Sequence, residues 1–258
     1  MAPFDFTGRR VLVTGASHGI GFAVAGAFAG AGAELAILSS TTDIHDAGAR
    51  IEAASGRKVL ALVCDITDRA AVSQTVRGLG RLDVLVNNAG LELITPVLEP
   101  GEEVERTFAR IIEINVIGTW YVTREALPLM GAGASIVLTS SVWGKTGAAG
   151  FSAYVASKHA TIGLMRTWAK ELGPSGIRVN AVCPGWVRTR AALRSLKEVS
   201  QRAGVAEAAM LEDILSAQAL PGLMEPDDVA GLYLFLASEH AASITGQAYS
   251  VDRGEVMA

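Results

Sequence analysis

A tyrosine and a lysine four residues apart, Tyr154 and Lys158, form the pair in this sequence best suited to move a proton. The surrounding pattern predicts a helix over Ala153–Gly173, and residues four apart on a helix share one face. A free phenol titrates near ~10, and a neighbouring ammonium favours the phenolate. Tyr154 is therefore predicted to act as a general acid or base. Ser141 ends a predicted strand and could hydrogen-bond the oxygen that exchanges the proton.

A second candidate site is rich in glycine and follows the first predicted strand, at Thr14–Gly21. There, Gly15 would allow a tight turn, Gly19 would let the backbone approach a pyrophosphate, and Gly21 would let the helix pack on the strand. The helix N-terminus would then face the phosphates. The loop predicts a dinucleotide site, against the alternative of a simple tight turn. Its other predicted contacts are Ser17, His18 and Ile20.

Hydroxyl side chains end the second predicted strand, at Ser39, Ser40 and Thr41. Many dinucleotide sites carry an acid there, which binds the ribose diol and would repel a 2′-phosphate, whereas hydroxyls can donate to one. His18 could lie beside that phosphate. NADP is therefore favoured over NAD, although neither place holds an Arg or Lys. The alternative, that the serines cap the next helix, suits either cofactor.

Aliphatic runs that alternate with helical patterns must position these residues. Most runs are apolar throughout, as strands covered on both faces require. The pattern predicts an α/β fold: a Rossmann-like doubly wound parallel sheet of about seven strands with helices on both faces, in one domain over 1–258. The strands are predicted at Arg10–Thr14, Glu34–Leu38, Val59–Val63, Asp83–Val86, Ser135–Thr139, Arg178–Val182 and Ala248–Val251. The helices are predicted at Gly19–Ala31, Ile44–Ala54, Ala70–Leu79, around Glu102–Met130, Ala153–Gly173 and Pro226–Ala237.

One segment departs from this alternation, residues 190–220, where two helix-like pieces are split at Gly204. Because it follows the carboxyl end of a strand, it is predicted to be a mobile substrate lid rather than simple surface helices.

Two start signals accompany the predicted helices. Asp68 is expected to cap the helix that begins near Arg69, and Glu225-Pro226-Asp227-Asp228 to open the last helix.

The charge balance excludes several classes of partner. The chain has 22 basic and 26 acidic residues, a formal net charge of −4, and it shows no basic footprint for nucleic acid or a membrane surface.

No His or Cys spacing suggests a metal site. Cys64 and Cys183 lie in aliphatic runs and are expected to be buried and reduced. A small-molecule partner and a cytoplasmic location are predicted.

Six motifs follow one another in a fixed order. They are the loop Thr14–Gly21, Asn87-Asn88-Ala89-Gly90, Asn115, Ser140-Ser141, Tyr154-x₃-Lys158 and Pro184-Gly185-Trp186-Val187-Arg188-Thr189. Over practically the whole chain they resemble the short-chain dehydrogenase/reductase family. The resemblance implies an NAD(P)-dependent oxidoreductase that interconverts a secondary alcohol and a ketone by hydride transfer, working as a homotetramer or homodimer.

The same resemblance implies roles for single residues. The catalytic set is Asn115, Ser141, Tyr154 and Lys158, with Ser141 chosen over Ser140 by the family's spacing. Lys158 would also bind the nicotinamide ribose, and Asn115 would hold a water that links Lys158 to solvent. Asp65 would accept from the adenine amino group. The remaining implied cofactor contacts are Ile66, Asn88, Ala89, Gly90, Tyr154, Pro184, Gly185, Val187 and Thr189.

The substrate is left open. Predicted walls are Glu92, Val142, Trp143 and Trp186. Two tryptophans would suit a ring or an apolar chain, whereas Glu92 with Arg188 or Arg190 could serve a polyol or a carboxylate. A 3-oxoacyl reductase and a sugar or polyol dehydrogenase both fit, and a catalytically silent dinucleotide-binding regulator is the alternative outside the enzymes. Arg253 stands where many family members have glycine and is expected to be exposed or to reach a neighbouring subunit.

Overall fold

A seven-stranded parallel sheet forms the centre of the computed structural model, which describes residues 4–257. The strand order is β3-β2-β1-β4-β5-β6-β7, and every neighbouring pair is parallel. The predicted doubly wound α/β fold is confirmed. The strands are β1 Arg10–Thr14, β2 Glu34–Ser39, β3 Val59–Val63, β4 Val84–Asn87, β5 Ser135–Thr139, β6 Arg178–Pro184 and β7 Ala248–Val251.

Helices cover both faces of the sheet because alternate side chains of each strand point to opposite sides. In β1, Val11 and Val13 join the core beneath α1, α2 and α9, whereas Leu12 joins the core beneath α3, α5 and α6. All three side chains are fully buried. The helices are α1 Gly19–Gly30, α2 Asp43–Ser55, α3 Arg69–Arg77, α4 Glu102–Ile112, α5 Thr119–Ala126, α6 Ser152–Leu172, α7 Arg190–Ala203, α8 Glu207–Ser216 and α9 Pro226–Ala237.

The helix boundaries follow the predicted local signals. Asp68 accepts hydrogen bonds from the backbone N–H groups of Ala70 and Ala71 and so caps α3. A capping box between Glu225 and Asp228 opens α9. Gly204 ends α7 in the left-handed conformation, with φ +68°. The segment 190–220 therefore folds as the two predicted helices, α7 and α8.

The long helix predicted around Glu102–Met130 is helical without interruption from Glu102 to Leu129, but it is not an α-helix throughout. A π-helical turn, Glu113–Gly118, separates α4 from α5, and a short 3-10 turn, Leu127–Leu129, follows α5. π-Turns replace α-helix where a side chain is needed in a particular direction, often at functional sites. Here the turn carries Asn115.

The candidate site lies where the strand order reverses, between β1 and β4. The loops after these adjacent strands, 15–18 and 88–91, leave the same edge of the sheet in opposite directions. Ligands of open α/β sheets bind in the crevice formed at such a point. No helix among residues 4–257 is both long enough and apolar enough to span a lipid bilayer.

Candidate active site

A cleft of about 1120 Å³ runs along the carboxyl edge of the sheet. Its walls come from the loops after β1, β2, β3, β4, β5 and β6 and from α7 and α8 of the segment 190–220. The structure thus brings most of the predicted site residues together. Those lining the cleft are Gly15, Ser17, His18, Gly19, Ile20, Ser39, Ser40, Thr41, Asp65, Ile66, Asn88, Ala89, Gly90, Glu92, Ser141, Val142, Trp143, Tyr154, Lys158, Pro184, Gly185, Trp186, Val187 and Thr189.

The glycine loop has the backbone that a phosphate cradle requires. Gly15 adopts φ +65°, and a Cβ there would lie 2.6 Å from the Cα of Ala89. Gly19 adopts φ +57° and faces Thr189. The side chain of His18, at the N-cap of α1, makes no capping hydrogen bond to the first turn. The backbone N–H groups in the first turn of α1 are therefore open to an anion.

Gly21 lies behind this loop and outside the cleft lining. A Cβ at Gly21 would be 2.3 Å from the carbonyl oxygen of Gly15 and 2.3 Å from Nδ2 of Asn88. Its predicted packing role is consistent with this position, but direct cofactor contact is not. The helix must come this close for its N-terminus to sit beneath the loop.

Thr14 joins the loops after β1 and β4, a role that sequence reasoning missed. Its Oγ1 accepts hydrogen bonds from the backbone N–H groups of Asn88 and Ala89, each at 3.0 Å. The Asn88 side chain donates in return to the carbonyls of Thr14 and Gly15. The two sides of the crevice are thereby fixed to each other.

Ser141, Tyr154 and Lys158 meet at the other end of the cleft. Nζ of Lys158 lies 5.3 Å from the centre of the Tyr154 ring and donates to the carbonyl oxygen of Thr139 at 2.8 Å. Ser141 lies close enough to Tyr154 to lower its pKa, and its Oγ accepts from the backbone N–H of Trp143 at 3.1 Å. The predicted i, i+4 arrangement thus places both α6 side chains beside the serine.

The expected lowering of the Tyr154 pKa is not found in the protein alone. Burial raises the pKa of Tyr154, the negative charge of Glu92 raises it further, and the nearby Ser141 hydroxyl opposes both effects. Burial also lowers the pKa of Lys158 from 10.5 to about 8. The ammonium lies over the ring face and bonds Thr139, so it does not offset the desolvation of the phenol.

Asn115 lies outside the cleft lining and supports the site from behind. Its Oδ1 accepts from the backbone N–H of Leu91 at 2.7 Å, and its Nδ2 donates to the Leu91 carbonyl and to Oγ of Ser157, each at 2.9 Å. A Cβ on Gly90 would lie 3.3 Å from Oδ1 of Asn115 and 3.6 Å from Nζ of Lys158. Glycine at this position therefore keeps a side chain from crowding these two groups.

Arg110, which sequence reasoning missed, holds the Asp65 carboxylate at the predicted adenine end. Oδ2 of Asp65 accepts from Arg110 at 3.0 Å, while Oδ1 accepts from the Thr67 backbone N–H and hydroxyl. Burial raises the Asp65 pKa, but these hydrogen bonds outweigh it and lower the pKa. Arg110 reaches Asp65 from α4, a pairing that no sequence pattern indicates.

The predicted 2′-phosphate subsite forms one hydrogen-bonded group. Oγ of Ser17 lies 2.6 Å from Nδ1 of His18 and 3.3 Å from Oγ of Ser39. Sequence reasoning missed Asp43, whose Oδ2 lies 3.4 Å from Nε2 of His18. The subsite therefore contains an imidazole, several hydroxyls and one nearby carboxylate.

Two arginines depart from the sequence-based expectations. Arg188 does not line the cleft, because it pairs with Glu225 outside it, with Nε 2.8 Å from Oε1. Arg253 is not an exposed side chain, since its Nη1 donates to the Pro221 carbonyl at 2.8 Å and its Nε is buried. Arg253 also adopts φ +55°, a left-handed conformation that glycine would take without strain.

A sequence model of a family described as enoyl-(acyl carrier protein) reductase matches residues 15–255, and a relative covers nearly the whole chain. That relative, the oxidoreductase UcpA of Salmonella typhimurium, is 37% identical over 259 residues, 97% of this chain and 95% of UcpA. The chain belongs to the short-chain dehydrogenase/reductase family. It is an oxidoreductase of that family.

Other members of the short-chain dehydrogenase/reductase family differ in the substrates that their names state. The 3-oxoacyl-(acyl-carrier-protein) reductase FabG of Thermotoga maritima is 35% identical over 258 residues, 97% of this chain and 98% of FabG. The L-sorbose reductase of Gluconobacter frateurii, solved with NADPH and L-sorbose, superposes with a TM-score of 0.88 at 26% identity over 99% of both chains. The comparisons therefore leave the substrate subtype open.

Proposed function

We propose that this protein interconverts a secondary alcohol and a ketone by hydride transfer with NADP. The observation that carries the proposal is the presence of Ser141, Tyr154 and Lys158 in the same cleft as the glycine loop. One end of that cleft suits phosphates, and the other end offers groups that can exchange a proton with an oxygen. NADP, when bound, supplies or accepts the hydride.

The chain fits such a cofactor at its phosphates and its adenosine. The loop has no Cβ atom at Gly15 or at Gly19, and α1 has no acidic residue in its first turn. Negative phosphates would be stabilised there by the N–H groups and the helix dipole. Asp65, held by Arg110, has the carboxylate to accept from an adenine amino group.

The choice of NADP over NAD follows from the groups around His18. Ser17, Ser39 and the imidazole can donate to a 2′-phosphate, while Asp43 opposes one. We expect a lower dissociation constant for NADPH than for NADH, measured by fluorescence titration. Asp43→Asn should widen the preference and His18→Ala should narrow it. A tenfold preference for NADH in the wild type would contradict this assignment.

The proton chemistry belongs to Tyr154. During reduction, its Oη donates a proton to the substrate carbonyl oxygen as the hydride reaches the carbonyl carbon; oxidation runs in reverse. Ser141 donates a hydrogen bond to the same oxygen and stabilises its developing charge. Lys158, with a pKa of about 8, is largely cationic near neutral pH, but its charge alone does not offset the burial of the phenol, so the remaining phenolate would also need the positive charge of the oxidised nicotinamide. A water held by Asn115 would return the proton through Lys158.

The decisive experiment combines a substrate screen with Tyr154→Phe. Ketones, 3-oxoacyl thioesters and sugars are tested with both cofactors by absorbance of the reduced nicotinamide. The phenylalanine variant should bind NADPH as the wild type does but turn over about 10²–10⁴-fold more slowly, because general acid catalysis is lost. Unchanged turnover would remove Tyr154 from the mechanism. Tight cofactor binding without turnover of any substrate would instead favour the silent regulator.

We also propose a homotetramer or homodimer located in the cytoplasm. Large apolar side chains on α4, α5 and the turn between them are exposed, namely Phe108, Ile117 and Trp120. Cys64 and Cys183 are free thiols, as a reducing compartment maintains. Sedimentation of the purified protein and fractionation of the source cell test these two points, and a monomer or a secreted protein would contradict them.

The segment 190–220 is proposed to act as the substrate lid. Met210, Asp213 and Ile214 of α8 line the cleft, and Arg194 of α7 donates to the Glu92 carbonyl across it at 2.6 Å. A lid of this kind excludes water when the substrate is bound. Hydrogen exchange in this segment should slow when NADPH and a substrate are added, and unchanged exchange would contradict a lid.

A further inference from the structure

Glu92 lines the cleft that also holds Ser141, Tyr154 and Lys158. Its negative charge raises the pKa of Tyr154 and acts in the same direction on Lys158. Across residues 4–257, its side chain has no hydrogen bond and no ion pair. An acceptor that faces the same cleft and whose charge acts on Tyr154 is therefore left for a donor that comes from outside the chain.

The backbone on both sides of this carboxylate is fixed. Asn115 binds both the N–H and the carbonyl of Leu91, and Arg194 donates to the carbonyl of Glu92 itself at 2.6 Å. Because this backbone is held in place, the Glu92 side chain extends from a constant position. That position is what a residue needs in order to discriminate between substrates.

Among residues 4–257, the positively charged side chains of the cleft do not bind the Glu92 carboxylate. Arg110 pairs with Asp65, and the Arg194 guanidinium bonds a carbonyl rather than the carboxylate. Arg190 follows Thr189, which faces the glycine loop and therefore the proposed phosphates. Lys158 donates to the Thr139 carbonyl, so the Glu92 carboxylate is left without a bound cation among residues 4–257, and its charge repels a carboxylate on a substrate that binds beside it.

An apolar surface stands beside the same reacting groups. The Trp143 ring meets the Tyr154 ring edge-on at 6.0 Å and the Phe151 ring at 4.8 Å. Met210 and Ile214 of the segment 190–220 also line the cleft. A ligand with an apolar C–H face and hydroxyl donors at its edge satisfies both the aromatic surface and the carboxylate.

We propose that Glu92 is the specificity-determining residue for an uncharged, hydroxylated ketone, and for the corresponding polyol, by accepting a hydrogen bond from a substrate hydroxyl next to the reacting carbon. This inference rests on the proposed function. It excludes 3-oxoacyl thioesters and oxo acids as preferred substrates, because neither offers a hydroxyl donor at that carbon. Glu92 acts in binding and takes no part in the hydride or proton transfer.

The test compares 2-hydroxycyclohexanone with cyclohexanone in the NADPH-dependent direction. In the wild type, kcat/KM should be higher for the hydroxylated ketone. Glu92→Leu removes the acceptor, and we expect the ratio of the two kcat/KM values to fall about 10–100-fold, mostly through KM, because a hydrogen bond to a charged group is lost. Glu92→Gln keeps an acceptor of similar shape and should lose less.

Glu105→Gln is the matched control. Glu105 is exposed on α4 and does not line the cleft, so the same loss of charge there should leave the ratio unchanged. Melting temperatures and NADPH dissociation constants of the Glu92 variants show that they are folded. A third probe, the N-acetylcysteamine thioester of 3-oxobutanoate, represents the competing substrate class.

The outcomes separate this inference from the proposed function. If cyclohexanone is reduced in a Tyr154-dependent way but the ratio does not change in Glu92→Leu, the role of Glu92 is wrong and the proposed function stands. A wild-type preference for the thioester over the hydroxyketone likewise overturns the substrate class alone. Failure of the wild type to reduce any ketone or thioester overturns both.

Discussion

Lys158 should make the stability of this protein depend on pH in a way that one substitution removes. Burial lowers its pKa from 10.5, the ordinary value, to about 8 in the folded chain. Between these two pH values the unfolded chain binds more protons than the folded one, so the free energy of unfolding rises with pH. The perturbation is Lys158→Met, which fills similar space without a charge.

The magnitude follows from the two pKa values. Near pH ~7 the folded chain carries the buried ammonium at a cost of about 3 kcal/mol, and near pH ~9.5 the cost has fallen to about 1 kcal/mol. The free energy of unfolding of the wild type, minus that of Lys158→Met, should therefore increase by about 2 kcal/mol across this range. The lost hydrogen bond to Thr139 shifts the difference but leaves most of its pH dependence intact.

Urea unfolding followed by circular dichroism at several pH values measures this difference. Lys170→Met is the matched control, since Lys170 is exposed on the same helix, α6, and should show no such step. Subtracting the free energy of unfolding of a variant from that of the wild type at each pH cancels the titration of the groups that both proteins share. A difference that stays constant with pH would show that Lys158 keeps an ordinary pKa in the fold, and the reasoning from burial would be refuted.

Two further predictions concern contacts that hold the cleft together. Thr14→Val keeps the shape of the side chain but leaves the N–H groups of Asn88 and Ala89 without an acceptor, so unfolding should need about 2–6 kcal/mol less by urea titration, and NADPH should bind more weakly. Wild-type stability in that variant would mean that water replaces the hydroxyl. A double-mutant cycle on Arg202 and Glu99, 2.6 Å apart and half exposed, should give a coupling of about 0.2–1 kcal/mol that salt removes. A coupling that salt leaves unchanged would show that the pair is shielded from solvent.

The fold could be predicted because its signals are local. Val11, Leu12 and Val13 are apolar in sequence because both faces of β1 are covered, and the same continuous pattern marks the other central strands. Gly204 marked the division of α7 from α8 because its left-handed backbone favours glycine. The π turn could not be predicted in this way. It carries the contact between Asn115 and Leu91, which are 24 residues apart, and no local pattern encodes such a contact.

The candidate site could be predicted only where residue types themselves suggest chemistry. Tyr154 and Lys158 share a helix face, so their spacing alone placed them together. Thr14 and Arg110 act on loops 74 and 45 residues away, and no pattern in the sequence connects those positions. The direction of the Tyr154 pKa depends on how much protein surrounds the phenol. That quantity exists only in the folded chain.

The π turn at Glu113–Gly118 also sets where this chain can tolerate changes in length. Its backbone hydrogen bonds join residues five apart instead of four, so deleting a single residue would allow α4 and α5 to continue as one α-helix. The backbone hydrogen bonds would improve, but α4 would rotate by about 100° relative to α5. Asn115 could then no longer face both Leu91 and Ser157. Relatives that keep the reaction should conserve the length of this turn, while insertions collect in exposed loops elsewhere.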